Sequence, residues 1–135
     1  MVAWTAADAA RCAAAELTAD DGGLNAAFRC VLQLFDDYQR VVRVRGQSAG
    51  AALLSEAPPS TGEHRVDAAI AALAEHLARR DGWPPPAWVY DEDRYAEPWW
   101  FVAGVRSWHA LAIQESPLAF RKRGVFITAS ALERV

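Results

Sequence analysis

The sequence predicts a mainly α domain: a small helical bundle of four to five helices with an ordered Trp/Pro-rich strap packed across it. Apolar residues recur at helical spacing in the first 82 residues, five of the six tryptophans fall within residues 83–108, and helical patterns return after them. The length of 135 residues fits a single domain, 1–135. We divide it into a helical body (1–82), the strap (83–104) and C-terminal helices (105–135).

The helical body begins with an alanine-rich helix over residues 5–17, for which Thr5 is the expected N-cap. A second helix is predicted over residues 24–42, because apolar residues recur there at spacings of three and four before a break near Gly46. A short helix over residues 49–57 follows, and the next two residues, both prolines, end it.

The next helix carries the clearest signals in the chain. Ser60 and Glu63 have capping-box spacing, so we expect the helix to start there, and Gly82 supplies its end. Its apolar stripe leaves the charged residues on other faces, with Glu75 and Arg79 as an i, i+4 ion pair. The stripe consists of Val66, Ile70, Leu73 and Leu77, and the other charged residues are Arg65 and Asp67.

The strap is predicted to be an ordered extended loop. Its prolines remove backbone donors and prevent a long helix or strand, whereas its tryptophans argue against disorder because each can bury a large apolar area. The prolines are Pro84, Pro85, Pro86 and Pro98, and the tryptophans are Trp83, Trp88, Trp99 and Trp100.

Two short helices and an extended piece are expected after the strap. Val105, Trp108, Leu111 and Ala112 have the spacing of an amphipathic helix, which Ser116 and a proline close. Ser116 then caps a short helix that reaches Arg121 and ends at Gly124. Residues 125–127 are expected to be extended, and Ser130 and Glu133 have the spacing of one last helical turn.

Composition excludes several functions. The formal net charge of −3 argues against a dedicated nucleic-acid binder, which normally needs an excess of Lys and Arg. The N-terminal residues lack the pattern of a signal peptide, and no apolar run could cross a bilayer, so we expect a cytoplasmic protein without a membrane partner. Cys12 and Cys30 are expected to be reduced, buried thiols, with a disulfide as the alternative.

Catalytic and metal sites are not indicated. His64, His76 and His109 do not have the spacing of zinc ligands, and structural roles are expected for all three. The carboxylate run of residues 91–93 is expected to be a solvated loop. Phosphate loops and nucleophile motifs do not occur, so we predict no catalytic residue, no metal and no cofactor.

The candidate site is a protein-contact surface made of an aromatic run and a basic run. Consecutive side chains diverge, so three neighbouring rings cannot all face one interior, and Trp and Arg are enriched in interface hot spots. The alternative that the rings cap the helical core stays open for Trp99 and Trp100. The predicted partner-binding residues are Trp99, Trp100 and Phe101 together with Arg121, Lys122 and Arg123.

The second half of the chain resembles a group of small, uncharacterised actinobacterial proteins, some of them encoded beside nucleotidyltransferase-like toxin genes. The resemblance depends on residues 66–78, on Trp88-Val89, on residues 97–101 and on residues 116–127, and it transfers no catalytic role. It implies an antitoxin-like protein that works through a surface. Some members carry a helix-turn-helix domain ahead of this region, and the present sequence shows no pattern for one.

The expected function is therefore non-catalytic protein binding, in its concrete form an antitoxin that neutralises a partner toxin enzyme. A homodimer is left open. The alternative is a transcriptional or nucleic-acid-binding accessory that uses the basic cluster and a second basic edge at Arg40, Arg43 and Arg45. A small enzyme of unknown class, with His76 or His109 as its base, is the third hypothesis.

Overall fold

The computed structural model describes residues 2–102 and 108–133, and it confirms the mainly α fold. Within these residues lie four helices of seven or more residues and two shorter ones. Two turns of 3-10 helix and two very short strands are the other elements of the described residues. The helices are α1 (Ala6–Thr18), α2 (Leu24–Arg45), α3 (Gln47–Ala52), α4 (His64–Asp81), α5 (His109–Glu115) and α6 (Leu118–Arg121); the 3-10 turns are Ala87–Tyr90 and Ala129–Leu132, and the strands are β1 (Trp100–Phe101) and β2 (Val125–Phe126).

Helix α4 forms the centre of the molecule. All residues from 66 to 75 are buried, and the helix contacts α1, α2, α6, β2 and the first 3-10 turn. The alanines of α4 are spread around the helix axis. Neighbouring elements therefore pack on several sides of α4 instead of along one apolar stripe. Asp67 and Glu75 were predicted to lie on faces other than the apolar stripe, and both are nevertheless buried.

The predicted start of α1 is confirmed, but that of α4 needs a correction. Thr5 caps α1 in a capping box with Asp8. At α4 the N-cap is Glu63, whose carboxylate accepts from the Arg65 amide at 3.0 Å. Ser60 does not cap the helix, because its hydroxyl donates to buried Asp67 at 2.8 Å. Gly82 ends α4 in the left-handed conformation, as predicted.

Helix α3 ends at Ala52, five residues earlier than expected. The carbonyl of Leu53 accepts from the amide of Ala6 at 2.9 Å, and that of Leu54 accepts from the indole of Trp88 at 3.0 Å. These long-range bonds take up carbonyls that a longer helix would have used internally. The early end of α3 therefore reflects tertiary contacts.

Cys12 and Cys30 form a disulfide in the structure, which corrects the expectation of reduced thiols. Cys12 lies on α1 and Cys30 on α2, and these helices pack side by side with the two Cα atoms 6.0 Å apart. That separation is within the normal range for a bonded pair. The pairing was not expected because the sequence gives no measure of distance across the helix interface.

The described part of the strap, residues 83–102, is ordered and lies across the helices, as predicted. The indole of Trp83 donates to the Tyr38 hydroxyl at 2.8 Å, and that of Trp88 reaches the Leu54 carbonyl. Further along, the buried guanidinium of Arg94 donates to the Pro58 carbonyl at 2.8 Å and lies 5.0 Å from the Trp88 ring. Large polar-tipped side chains thus attach a proline-rich segment that cannot form its own ladder of backbone bonds.

The strap ends in a two-stranded parallel sheet, in which Trp100 pairs with Val125 and Phe101 with Phe126. The Trp100 amide donates to the Gly124 carbonyl at 2.8 Å, and that of Val102 donates to Phe126 at 3.0 Å. The expected extended piece after α6 is thereby confirmed as β2. Val105, assigned to the following helix from its spacing, lies outside the described residues, and α5 begins at His109.

Among the described residues, no helix combines the length and apolar character needed to cross a membrane.

Candidate functional site

Strand β1 directs neighbouring aromatic side chains to different environments. Trp99 is 65% exposed, Trp100 only 6% exposed and Phe101 half-buried. Side chains alternate along extended backbone, so the pairing of this strand with β2 decides which ring enters the core. Of the three aromatic residues predicted for the contact surface, Trp99 is the most exposed.

Trp100 belongs to the core, which corrects its placement in a contact surface. Its ring meets Phe28 of α2 edge-on, with centroids 5.5 Å apart and planes at 88°. Edge-to-face pairs of this kind are favourable beyond their burial. A partner cannot reach this ring without opening the junction between β1 and α2.

Trp99 is exposed but held in place. Its ring packs against Phe126 of β2 at 5.1 Å between centroids, and it lies on Gly124. A Cβ atom at Gly124 would be 2.7 Å from Cδ1 of Trp99, and the glycine has a φ of +78°. Glycine is therefore required here both for its backbone conformation and for the close approach of the indole.

Phe101 also packs against Phe126. The Phe101 and Phe126 rings are stacked at 4.9 Å, and the His109 ring stacks on Phe101 at 4.0 Å. Four rings thus form a continuous series from Trp99 through Phe126 and Phe101 to His109. The series gives the exposed indole a rigid support.

Further apolar side chains are exposed on α5, on α6 and in the residue before α5, and both helices contact β2. Of the described residues in the predicted apolar stripe, Ala112 is buried, whereas Trp108 and Leu111 are exposed. Leu118, at the start of α6, is 62% exposed. We use the name Trp99 face for Trp99 together with exposed residues on, or directly before, the helices that contact β2. These are Trp108, Leu111, Leu118 and Arg121.

The basic run does not form one positive surface. Arg121 is exposed, but Lys122 places its ammonium 2.8 Å from the carboxylate of Glu75, and Arg123 is fully buried. Consecutive residues at the end of α6 point in different directions, and the buried carboxylate attracts the second and third cations. Arg123 is thus removed from the predicted contact surface, and Lys122 is engaged within the protein.

Glu75 is the most heavily bonded charged group among the described residues. Arg123 donates to its Oε1 at 2.7 Å, whereas Arg79 and the Tyr90 hydroxyl donate to Oε2 at 2.8 and 2.9 Å. Burial would raise the pKa of Glu75, but the hydrogen bonds from Lys122, Arg123, Arg79 and Tyr90 outweigh it and lower the pKa to about 2. The carboxylate is therefore charged at neutral pH.

Sequence reasoning missed this cluster, although one signal was available. Glu75 directly follows the apolar run of residues 68–74, which leaves no polar side on that part of the helix. A charged side chain next to such a run needs partners if it is buried. Arg123 also donates to the carbonyls of Ala119 and Val89, each at 2.8 Å. The cluster thereby joins α4 to the first 3-10 turn and to α6, which leads into β2.

The histidines and the acidic run lie apart from one another. Among the described residues, no three His, Cys, Asp or Glu side chains are grouped so that they could hold a metal ion. His76 packs against the Phe120 ring at 6.2 Å, and burial lowers its pKa. His109 belongs to the ring series, and residues 91–93 are exposed in a loop.

Comparison with models of protein families, with curated proteins and with solved structures found no match to this chain. The function of the chain is therefore inferred from its sequence and its side-chain geometry.

Proposed function

We propose that this chain is a non-catalytic protein-binding module and that its partner docks on the Trp99 face. The observation that carries the proposal is Trp99, a large ring that is 65% exposed yet fixed between Phe126 and Gly124. A rigid exposed indole offers apolar area to a partner at a small cost in conformational entropy. Tryptophan is also among the residues most enriched in interface hot spots.

The surroundings of Trp99 support the same proposal. Single exposed apolar residues are common, but here several of them lie on the elements that contact β2. Arg121 adds an exposed cation to the face, which suits a partner with acidic groups around an apolar pocket. The expected partner surface is therefore a pocket that accepts an indole and Leu118, bordered by carboxylates.

In its concrete form we propose an antitoxin that binds and neutralises a toxin enzyme in the cytoplasm. This form rests on the sequence resemblance to proteins encoded beside nucleotidyltransferase-like toxins. Disulfides are rare in the cytoplasm, so the state of Cys12 and Cys30 bears on the location. Alkylation of the thiols in intact cells, followed by mass spectrometry, determines whether the bond forms there.

The test uses the product of the neighbouring gene. If the proposal is right, co-expression of the present chain restores growth that this product impairs, and the two proteins co-purify. We expect Trp99→Ala to weaken the complex by at least about 2 kcal/mol, or roughly thirtyfold in Kd, in isothermal titration calorimetry. Its thermal midpoint should stay close to that of the unaltered protein, because the ring is largely exposed.

Two further variants make the result decisive. Arg29→Ala, an exposed change on α2, should leave the affinity unchanged. Trp100→Ala should lower the stability by about 3–5 kcal/mol, since it empties a core position against Phe28. Unchanged affinity in Trp99→Ala would exclude the Trp99 face, and failure of growth rescue by the unaltered chain would exclude the antitoxin.

A further inference from the structure

A groove on the helical body carries a second inference, which does not depend on the proposed function. It lies between the residues that precede α1, the last turns of α2, and α3. Its volume is about 490 Å³. Sites for small molecules commonly have volumes of about 300–1,000 Å³, so the groove is large enough for a small ligand.

The lining of the groove is mainly apolar. Val41 and Val44 contribute from α2, Leu53 from the end of α3, and Val2 from the N-terminal segment. Val44 is 75% exposed, which is unusual for a valine on a helix that packs against three others. Apolar side chains left open in a concave surface gain from covering by an apolar ligand.

The charge of the lining is positive. Among the residues described, it includes Arg40 and Arg45 and no carboxylate. Arg40 lies 3.4 Å from Asp37, but that buried carboxylate already accepts from the Trp4 amide and from Gln33. Arg45 is exposed and makes no ion pair within the described chain.

Helix geometry accounts for only part of this charge. Arg45 and the neighbouring Arg43 lie in the last turn of α2, where cations offset the partial negative charge of the helix terminus. That partial charge is about half an elementary charge, whereas two arginines line the groove itself. Because Asp37 offsets Arg40, Arg45 is the cation that keeps the lining of the groove positive, in a protein whose formal net charge is −3.

We propose that the groove binds an amphiphile with one anionic head, either a carboxylate or a phosphate, and a short apolar chain. Arg40 and Arg45 hold the head by charge-assisted hydrogen bonds. The chain lies over Val41, Val44 and Leu53. A purely apolar ligand would leave the arginines unused, and a purely ionic ligand would leave the valines exposed.

Isothermal titration calorimetry with decanoate, decyl phosphate and decanol tests the proposal. We expect both anions to bind one site per chain and decanol to bind at least tenfold more weakly. Arg45→Gln should weaken decanoate binding about fivefold, and the matched change Arg29→Gln, on the same helix but outside the groove, should not. Equal binding of decanol and decanoate, or no binding by either anion, overturns the proposal.

A second variant guards against an indirect effect of the lost charge. Ala49 lines the groove from α3, and Ala49→Phe fills part of its volume while keeping both arginines. Decanoate binding should fall at least tenfold, with an unchanged circular dichroism spectrum. Undiminished binding to a folded Ala49→Phe variant places the ligand elsewhere and overturns the proposal. Stronger binding of decyl phosphate than of decanoate would show that the groove prefers a phosphate head to a carboxylate head.

Discussion

The helical body and the C-terminal aromatic region bury apolar surface in contrasting ways. In α4 the buried positions are dominated by small residues, and six of its alanines are buried. Around β1 and β2, contacts are made by rings, such as Trp100 on Phe28 and Phe101 on Phe126. Alanine lets helix backbones approach closely and leaves nothing large to place, whereas a run of large rings forces some of them outward.

The contrast teaches where a binding surface can arise in this fold. The alanine-packed centre is closed on all sides of α4, so it can only support other elements. The aromatic region needs Trp100 for its attachment to the body, and this anchoring leaves Trp99 exposed on the other side of β1. The exposed ring is thus a consequence of how its neighbour is buried.

The two regions are joined by an ionic contact as well as by apolar packing. Glu75 belongs to the alanine-rich helix, whereas Lys122 and Arg123 follow α6. The Glu75–Arg123 pair is completely buried, and such a pair needs both partners because either charge alone would be strongly disfavoured. Removing this one carboxylate charge should therefore weaken the connection between the two regions.

The largest effect is expected from Glu75→Gln. The amide keeps the shape of the side chain but leaves the Arg123 guanidinium buried without its counter-charge. Removal of one member of a buried ion pair typically costs about 3–5 kcal/mol. Urea unfolding followed by circular dichroism should show this loss, and the ring contacts around β2 should loosen before the alanine-rich helices do.

The control for this variant is Glu92→Gln, which neutralises an exposed glutamate in the strap loop. Its unfolding midpoint should match that of the unaltered protein. A Glu75→Gln protein that is as stable as Glu92→Gln would show that the two regions are joined by apolar packing alone.

The second effect is the part of the pH dependence of stability that comes from Glu75. Its pKa is lowered from 4.5 to about 2 in the folded protein. The folded protein therefore favours the charged carboxylate more strongly than the unfolded chain does. The resulting stabilisation is complete above about pH 5 and is lost as the pH falls towards 2. At 1.36 kcal/mol per unit, the contribution is about 3 kcal/mol.

The difference in unfolding free energy between the unaltered protein and Glu75→Gln measures this contribution. It should shrink by about 3 kcal/mol between pH 6 and pH 2. Other carboxylates with a lowered pKa, including Asp8, Glu63 and Asp81, titrate in both proteins and cancel. Parallel pH profiles for the two proteins would contradict the assignment.

The helices could be predicted from the sequence because their signals are local. Thr5 caps α1, breaks occur at Gly46 and Gly82, and the apolar spacing locates α2, all within a few residues of the observed bounds. The extended piece at β2 was also predicted. Each of these features depends on interactions between residues close together in the chain.

The candidate site was only partly predictable, because its geometry depends on contacts between distant segments. The choice between Trp99 and Trp100 for the core depends on the register with β2, and the burial of Arg123 depends on a glutamate 48 residues earlier. Likewise, the Cys12–Cys30 bond depends on how α1 packs on α2. Residue types indicated which side chains were unusual, but their burial required the fold.

The smallest effect is expected from replacing two glycines. Comparing the two variants separates the effect of side-chain packing from that of backbone conformation. Gly124 and Gly82 have nearly equal φ values, +78° and +82°, so alanine costs each about 1–2 kcal/mol for the left-handed conformation. A new Cβ at Gly82 meets nothing within 4 Å, whereas at Gly124 it would press on the Trp99 ring. Gly124→Ala should therefore lose more stability than Gly82→Ala in thermal unfolding, and only Gly124→Ala should displace the indole.

The indole N–H signal of Trp99 in a ¹⁵N-resolved NMR spectrum reports that displacement, with Trp99→Phe used to assign it. We expect the signal to move in Gly124→Ala and to stay in place in Gly82→Ala. The Gly124 change should also weaken partner binding, because it disturbs the rigid seat of Trp99 without removing the ring. If the signal moves equally in both variants, Gly124 does not position Trp99, and the rigidity of the Trp99 face must come from Phe126 alone.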